Sequence, residues 1–199
     1  MHNAFLFSLL MVSALFLSAC SSTVETTNYY LLTNNMTNQD KANDAVLIPT
    51  VLSAGDEQRQ YLVSVVLPEY LHKPYLVMQL NENQIHYAMF HLWAEPLDKG
   101  LSTALIFDLN TNKQEVFFIS AQGKEHTLSN IISVEVSYFH INEQGSVILS
   151  GQYHMQTASG MVHRAFSFTQ PLADDGYSHA IVQMRTLITQ LSEKIIAEL

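Results

Sequence analysis

The sequence has little of several residue types on which common functions depend. Among its 199 residues are one cysteine, seven glycines and five prolines. A single cysteine excludes an internal disulfide framework, and the scattered glycines form no loop that would hold a phosphate group. Charged residues make up 14% of the chain, below the roughly 25% of an average globular domain. Disulfide scaffolds and phosphate-loop enzymes are therefore excluded.

Basic residues are scarcer than acidic ones. Nine Lys and Arg against eighteen Asp and Glu give a formal charge of -9, which repels the phosphate backbone of nucleic acids. We therefore expect no nucleic-acid partner. Hydrophobic residues at 48% and aromatic residues at 10% are sufficient for a buried core, and the length suits one folded domain.

Patterns that would indicate catalysis or metal binding are also missing. The nine histidines form neither an H-x-x-x-H nor an H-E-x-x-H pair, and no G-x-S-x-G nucleophile motif occurs. His154 and His163 are predicted on the solvent faces of neighbouring strands, and His140 on the apolar side of a strand end. We expect no catalytic residue, no metal site and no cofactor, and hence a protein that is not an enzyme.

The N-terminus carries a run of about sixteen apolar and small residues, Ala4 to Ala19. This length is typical of a signal-peptide core, although no Lys or Arg precedes it. An uncleaved membrane anchor and a buried core helix are the alternatives. We predict a signal peptide over residues 1–19.

The end of that run, Leu17-Ser18-Ala19-Cys20, resembles a bacterial lipobox. The resemblance implies cleavage before Cys20 and acylation of Cys20 with fatty acids such as palmitate, more than one chain being needed for stable anchoring. Ser21 in place of Asp implies sorting to the outer membrane. A buried, unmodified cysteine is the alternative. Residues 20–28 would be the lipidated Cys20 and a polar tether, followed by a single periplasmic domain over 29–199.

Hydrophobic periodicity predicts an α/β fold of α+β-like character, with one mixed, mostly antiparallel sheet and two main helices packed on it. Strands are predicted over 28–33, 60–67, on both sides of an Asn-Glu-Asn turn in 75–90, and over 115–120, 130–142, 145–157 and 161–170. The helices are predicted over 94–112, with Pro96 at the first helical position, and over 177–199. The apolar stripe of the second helix faces the sheet or, alternatively, another subunit.

The hairpin between the strands at 130–142 and 145–157 has a predicted register. A two-residue turn at Gln144-Gly145 would place Tyr138 opposite Gly151 and Val136 opposite Tyr153, so that the apolar faces of the two strands coincide.

Three stretches together resemble the PqiC family, the auxiliary lipoproteins of MCE-type (paraquat-inducible) intermembrane transport systems. They are Tyr29-Tyr30 after the lipobox, "LPEYLHKP" from Leu67 to Pro74, and "WAEPL" from Trp93 to Leu97. His72-Lys73 replaces the family's Asp-Arg, and Leu92 replaces an Arg before the tryptophan.

The resemblance implies an outer-membrane lipoprotein on the periplasmic face. It would dock a PqiB-like, tunnel-forming MCE-domain subunit and thereby support lipid transport and membrane integrity. The resemblance also makes a homo-oligomer conceivable. Its alternatives are a carrier that holds an acyl chain itself and a structural lipoprotein of another envelope complex. The candidate partner contacts are Tyr70, Leu71, His72, Lys73, Trp93 and Glu95, although Trp93 and Glu95 also suit packing and helix capping.

Overall fold

The computed structural model describes residues 25–32, 59–112, 116–121, 130–157 and 160–199. The predicted signal peptide, Cys20 and the first part of the predicted tether, residues 21–24, lie outside these residues. The strands are β1 Asn28–Tyr30, β2 Arg59–Val66, β3 Tyr75–Asn81, β4 Gln84–Trp93, β5 Val116–Ser120, β6 Ile131–Asn142, β7 Ser146–Thr157 and β8 Gly160–Pro171. The helices are α1 Leu97–Asn112 and α2 Tyr177–Ile196, and one turn of 3-10 helix spans Glu69–Leu71.

Strand β6 organises the sheet. On one edge it pairs with β7, which continues to β8, and both pairings are antiparallel. On its other edge it pairs in parallel first with β2 and then with β3. Beyond β2 lies β5, and beyond β3 lie β4 and the edge strand β1. The described sheet is mixed, most paired residues being antiparallel, which confirms the predicted α/β fold.

Both helices cover one face of this sheet. Helix α1 contacts β2 and β5, α2 contacts β6, β7 and β8, and the helices contact each other. The leucines that repeat every four residues on α1, from Leu97 to Leu109, are buried, and so is the predicted apolar stripe on α2, from Ile181 to Ile195. Helix α1 begins one residue after Pro96, whose carbonyl accepts the N–H of Gly100. The apolar side of α2 is thus used inside the chain, as packing against the sheet requires.

The predicted register of the β6–β7 hairpin is wrong by one residue next to the turn, where Tyr138 lies opposite Ser150, and by two residues farther along the strands. Tyr153 lies opposite Val134, and Val136 lies opposite Gly151. The turn has three residues, 143–145, because Asn142 and Ser146 are the last paired residues on either side. Gly145 adopts a φ of 70° there, a left-handed conformation that glycine reaches without a steric cost.

A β-bulge between Val136 and Tyr138 accounts for the rest of the error. It shifts the alternation of β6 by one residue, so that the buried side chains change from the even positions up to Val136 to the odd positions Phe139 and Ile141, while Tyr138 is half-exposed. Gly151 faces this bulge, and a Cβ atom on it would lie 2.1 Å from the carbonyl oxygen of Glu135. Glycine therefore permits the close approach of the two backbones at this point.

Candidate functional site

The segment from Pro68 to Pro74, which we name the proline corner, joins two strands that lie on the same edge of β6. Strand β2 pairs with β6 as far as Glu135, and β3 begins to pair at Ile141. The corner therefore passes the part of β6 that holds the bulge. Neither proline can donate a backbone hydrogen bond, and the carbonyl of Pro68 accepts the N–H of Leu71 at 2.9 Å.

Tyr70 attaches the proline corner to β6. Its hydroxyl donates to the carbonyl oxygen of Ser137 at 3.0 Å, and its own carbonyl accepts the hydroxyl of Tyr87 at 3.2 Å. Its ring lies 6.3 Å from that of buried His140. Burial raises the pKa of Tyr70 to about 12 and lowers the pKa of His140, because a low-dielectric environment disfavours the charged form of each.

The residues between the two prolines differ in their exposure. Leu71 is buried in the core, and Tyr70 is half-buried against β6. His72 and Lys73 are exposed, the ring of His72 lying 3.7 Å from the carboxylate of Glu69. Of the four candidate contacts in the corner, His72 and Lys73 are therefore the accessible ones, and the side chain of Glu69 beside them is 97% exposed.

Trp93 ends β4 and is 7% exposed. The backbone N–H of Trp93 donates to the carbonyl of Pro74 at 2.7 Å, and the backbone N–H of Ala94 donates to the carbonyl of Tyr30 at 2.8 Å. This segment therefore bonds to both the proline corner and β1. Glu95 folds over the first turn of α1, its carboxylate oxygen 3.2 Å from where a Cβ on Gly100 would lie.

These segments enclose a shallow, open depression of about 250 Å³, lined by residues 72–74 and 93–97. Four of the six candidate contacts line it, His72, Lys73, Trp93 and Glu95, whereas Tyr70 and Leu71 support it from inside. Its rim carries one lysine and one glutamate. In the described part of the chain, no three His, Cys, Asp or Glu side chains come together as metal ligands.

A stack of three rings beside the depression was not predicted from the sequence. The hydroxyl of Tyr30 and Nδ1 of His91 are 2.8 Å apart, and the His91 ring stacks on Tyr177 with centroids 3.8 Å apart. Tyr177 is the first residue of α2. The stack attaches β1 to the helical layer. No local sequence pattern indicates it, because the three residues are far apart along the chain.

The profile of a family described as the ABC-type transport auxiliary lipoprotein component matches residues 46–196. The chain belongs to this family. Auxiliary lipoproteins of this family are transport components and not a class of enzymes. Among the described residues, no helix is long and apolar enough to cross a membrane.

The chain is similar to its relatives over nearly its whole length. It is 27% identical over 192 residues to the intermembrane transport lipoprotein PqiC of Escherichia coli K12, covering 96% of each protein, and matches that of Shigella flexneri equally. A crystal structure of an uncharacterized protein superposes with a TM-score of 0.70 at 24% identity, covering 87% of this chain and 99% of the other. A protein from Xanthomonas campestris gives 0.58 at 10% identity, covering 72% and 86%. These two structures support the fold.

Proposed function

We propose that this chain is an outer-membrane lipoprotein that faces the periplasm and serves as an auxiliary subunit of an MCE-type intermembrane lipid transport system. The observation that carries the proposal is the match, over 96% of both proteins, to a lipoprotein named for intermembrane transport. In this role the protein binds the tunnel-forming MCE-domain subunit at the outer membrane and thereby supports membrane integrity.

Acylation of Cys20 anchors the protein in this proposal. Several acyl chains give stable attachment without a basic patch, since each buried CH₂ contributes about 0.8 kcal/mol. We expect Cys20→Ala to release the protein from the membrane fraction. We expect Ser21→Asp, in contrast, to keep it membrane-bound but to move it to the inner-membrane band of a density gradient. A Cys20→Ala protein that remained fully membrane-bound would contradict the anchor.

The depression between the proline corner and Trp93 is the proposed partner contact. Its exposed candidate contacts, His72 and Lys73, lie between Tyr70, which is hydrogen-bonded to β6, and Pro74, which is hydrogen-bonded to Trp93, so a partner meets a preorganised surface. The test is crosslinking in intact cells, followed by purification of the lipoprotein and detection of the MCE-domain subunit. We expect Lys73→Glu to lower the yield several-fold, and Lys194→Glu, a charge reversal on α2, to leave it unchanged. Equal yields for wild type and Lys73→Glu would refute this location.

The carrier alternative receives less support from this surface. The depression, about 250 Å³, is smaller and more open than the roughly 300–1,000 Å³ of typical ligand pockets. Labelled phospholipid separates the two functions, because a docking subunit retains no stoichiometric lipid after purification, whereas a carrier does. The predicted homo-oligomer is tested separately by the mass of the protein in detergent.

A further inference from the structure

The outer face of the β1–β4–β3 edge carries a row of apolar side chains. Tyr29 lies opposite Leu92, and Leu92 lies opposite Tyr75, so the three side chains point to the same side of the sheet. Phe90 lies two positions before Leu92, where the pairing of β4 with β3 is irregular, and Leu31 directly follows β1. Both are exposed and extend the row. We name the set Tyr29, Leu31, Tyr75, Phe90 and Leu92 the edge patch.

The edge patch is accessible and lies away from the helices. Tyr29 is 65% exposed, Leu31 47% and Phe90 43%. The alternate residues of the same strands, Tyr30 and His91, point to the opposite side, where His91 stacks on the first residue of α2. The helical layer therefore covers the other face, and the aromatic and aliphatic groups of the edge patch meet solvent.

Formal charge is absent from the strands that form the edge patch. Strands β1, β3 and β4 contain no Asp, Glu, Lys or Arg, although the whole chain carries a net charge of -9. Burying this face in a membrane interface would therefore require no desolvation of an ionised side chain of these strands. Tyrosine in particular suits the headgroup level, where its ring and its hydroxyl meet different environments.

The position of the edge patch along the chain identifies its occupant. Residues 20–27 separate the proposed acylated Cys20 from β1, and eight residues reach no farther than roughly 28 Å when fully extended. The tether therefore keeps the start of β1 within roughly 28 Å of the bilayer, and no other described element has so short a link to the anchor. A partner protein or a second copy of the chain could also cover an apolar face, but neither has this fixed link to it.

We propose that the edge patch rests on the lipid surface and sets the orientation of the protein on the membrane. The inference depends on the proposed anchor at Cys20. Tyr29, Leu31 and Phe90 enter the headgroup region, while the helical layer faces the periplasm.

Single introduced thiols test the orientation in the lipidated full-length protein. Because acylation blocks the sulfur of Cys20, a new cysteine is the one reactive thiol. The test variants are Leu31→Cys and Phe90→Cys, and the controls are Phe107→Cys on α1 and Met161→Cys on β8, both exposed in the wild type. Each variant is labelled with the environment-sensitive fluorophore NBD, checked for wild-type thermal unfolding, and reconstituted into phosphatidylethanolamine–phosphatidylglycerol vesicles.

We expect several-fold higher, blue-shifted emission at positions 31 and 90, with quenching by nitroxide-bearing lipids, and no change at positions 107 and 161. Water-like emission at 31 and 90 in protein that floats with the vesicles would overturn the proposal while leaving the anchor intact. Equal changes at all four positions, changes that depend on protein density, or changes that require an added MCE-domain subunit would also overturn it. Protein that does not float with the vesicles would refute the anchor and the orientation with it.

Discussion

The ion pair between Asp108 of α1 and Arg185 of α2 holds the two helices together, and its removal has a calculable effect. One guanidinium nitrogen of Arg185 donates to Oδ2 of Asp108 at 2.6 Å, and the other donates to Oδ1. Thr189 also donates to Oδ2, at 3.0 Å. The side chains of Arg185 and Asp108 are 14% and 8% exposed. Water can therefore replace few of the hydrogen bonds that either side chain would lose if its partner were removed.

Asp108→Ala is expected to destabilise the protein strongly. It leaves the guanidinium nearly buried without its counter-ion, and the Nε of Arg185 already has no acceptor among the described residues. Removing one partner of a buried pair costs about 3–5 kcal/mol, a large share of the roughly 5–15 kcal/mol that stabilises a typical domain. For a chain of this size the midpoint of thermal unfolding should fall by about 10 °C.

A double variant distinguishes a lost ion pair from a lost packing contact. Asp108→Leu combined with Arg185→Met removes both charges at similar volume, and it should recover most of the stability, because no unpaired charge remains. Urea unfolding followed by circular dichroism measures the free energy of unfolding of the wild type, of Asp108→Ala, of Asp108→Leu and Arg185→Met separately, and of the double variant. Glu198→Gln, which breaks the exposed pair with Arg164, is the control and should change little. A double variant as unstable as Asp108→Ala would refute the electrostatic explanation.

Three further predictions concern the bulge and the proline corner. Gly151→Ala should lower the free energy of unfolding by at least about 1–3 kcal/mol, because the added Cβ meets the Glu135 backbone; an unchanged urea midpoint would contradict this. Tyr70→Phe should cost about 1 kcal/mol by losing the hydrogen bond to Ser137, measured in the same way. Burial lowers the pKa of His140 from 6.5, so stability should be complete above that pH and decline as pH falls from it toward the folded-state pKa. His140→Gln should remove this part of the pH dependence of unfolding, and a wild-type slope in that variant would show that His140 is not its source.

Helix positions were predictable from the sequence because local signals decide them. Four leucines at intervals of four residues mark the buried side of α1, and Pro96 marks its start to within one residue. The apolar stripe of α2 likewise extends over its whole length. These patterns depend only on the helical repeat and on the presence of a core.

The register of β6 and β7 was not predictable, since it depends on a contact between strands. In the sequence, apolar residues alternate with polar ones from Ile132 through Tyr138, which predicts that Tyr138 is buried. The bulge interrupts that alternation, and its position follows from the close approach permitted by Gly151 and from the three-residue turn. A glycine within a strand indicates such a site but does not specify the shift in pairing.

The candidate contact surface was predicted in part. The resemblance identified both segments that line the depression, but not that they meet there. It also could not separate His72 and Lys73, which are exposed, from Leu71, which is buried in the core. That division depends on Tyr70 binding the backbone of β6 at its bulge, which is a tertiary contact without a local sequence signal.

Strand β4 links the two proposed surfaces. Its outer face contributes Phe90 and Leu92 to the edge patch, and its last residue, Trp93, lines the depression. The hydrogen bonds from Trp93 to Pro74 and from Ala94 to Tyr30 fix the depression relative to β1, the strand that follows the proposed anchor. A lipid anchor alone confines a protein to the membrane but leaves it free to rotate there. If the edge patch rests on lipid, the same strand that restricts this rotation also fixes the direction in which the depression faces, so a partner that spans the periplasm meets it in one orientation.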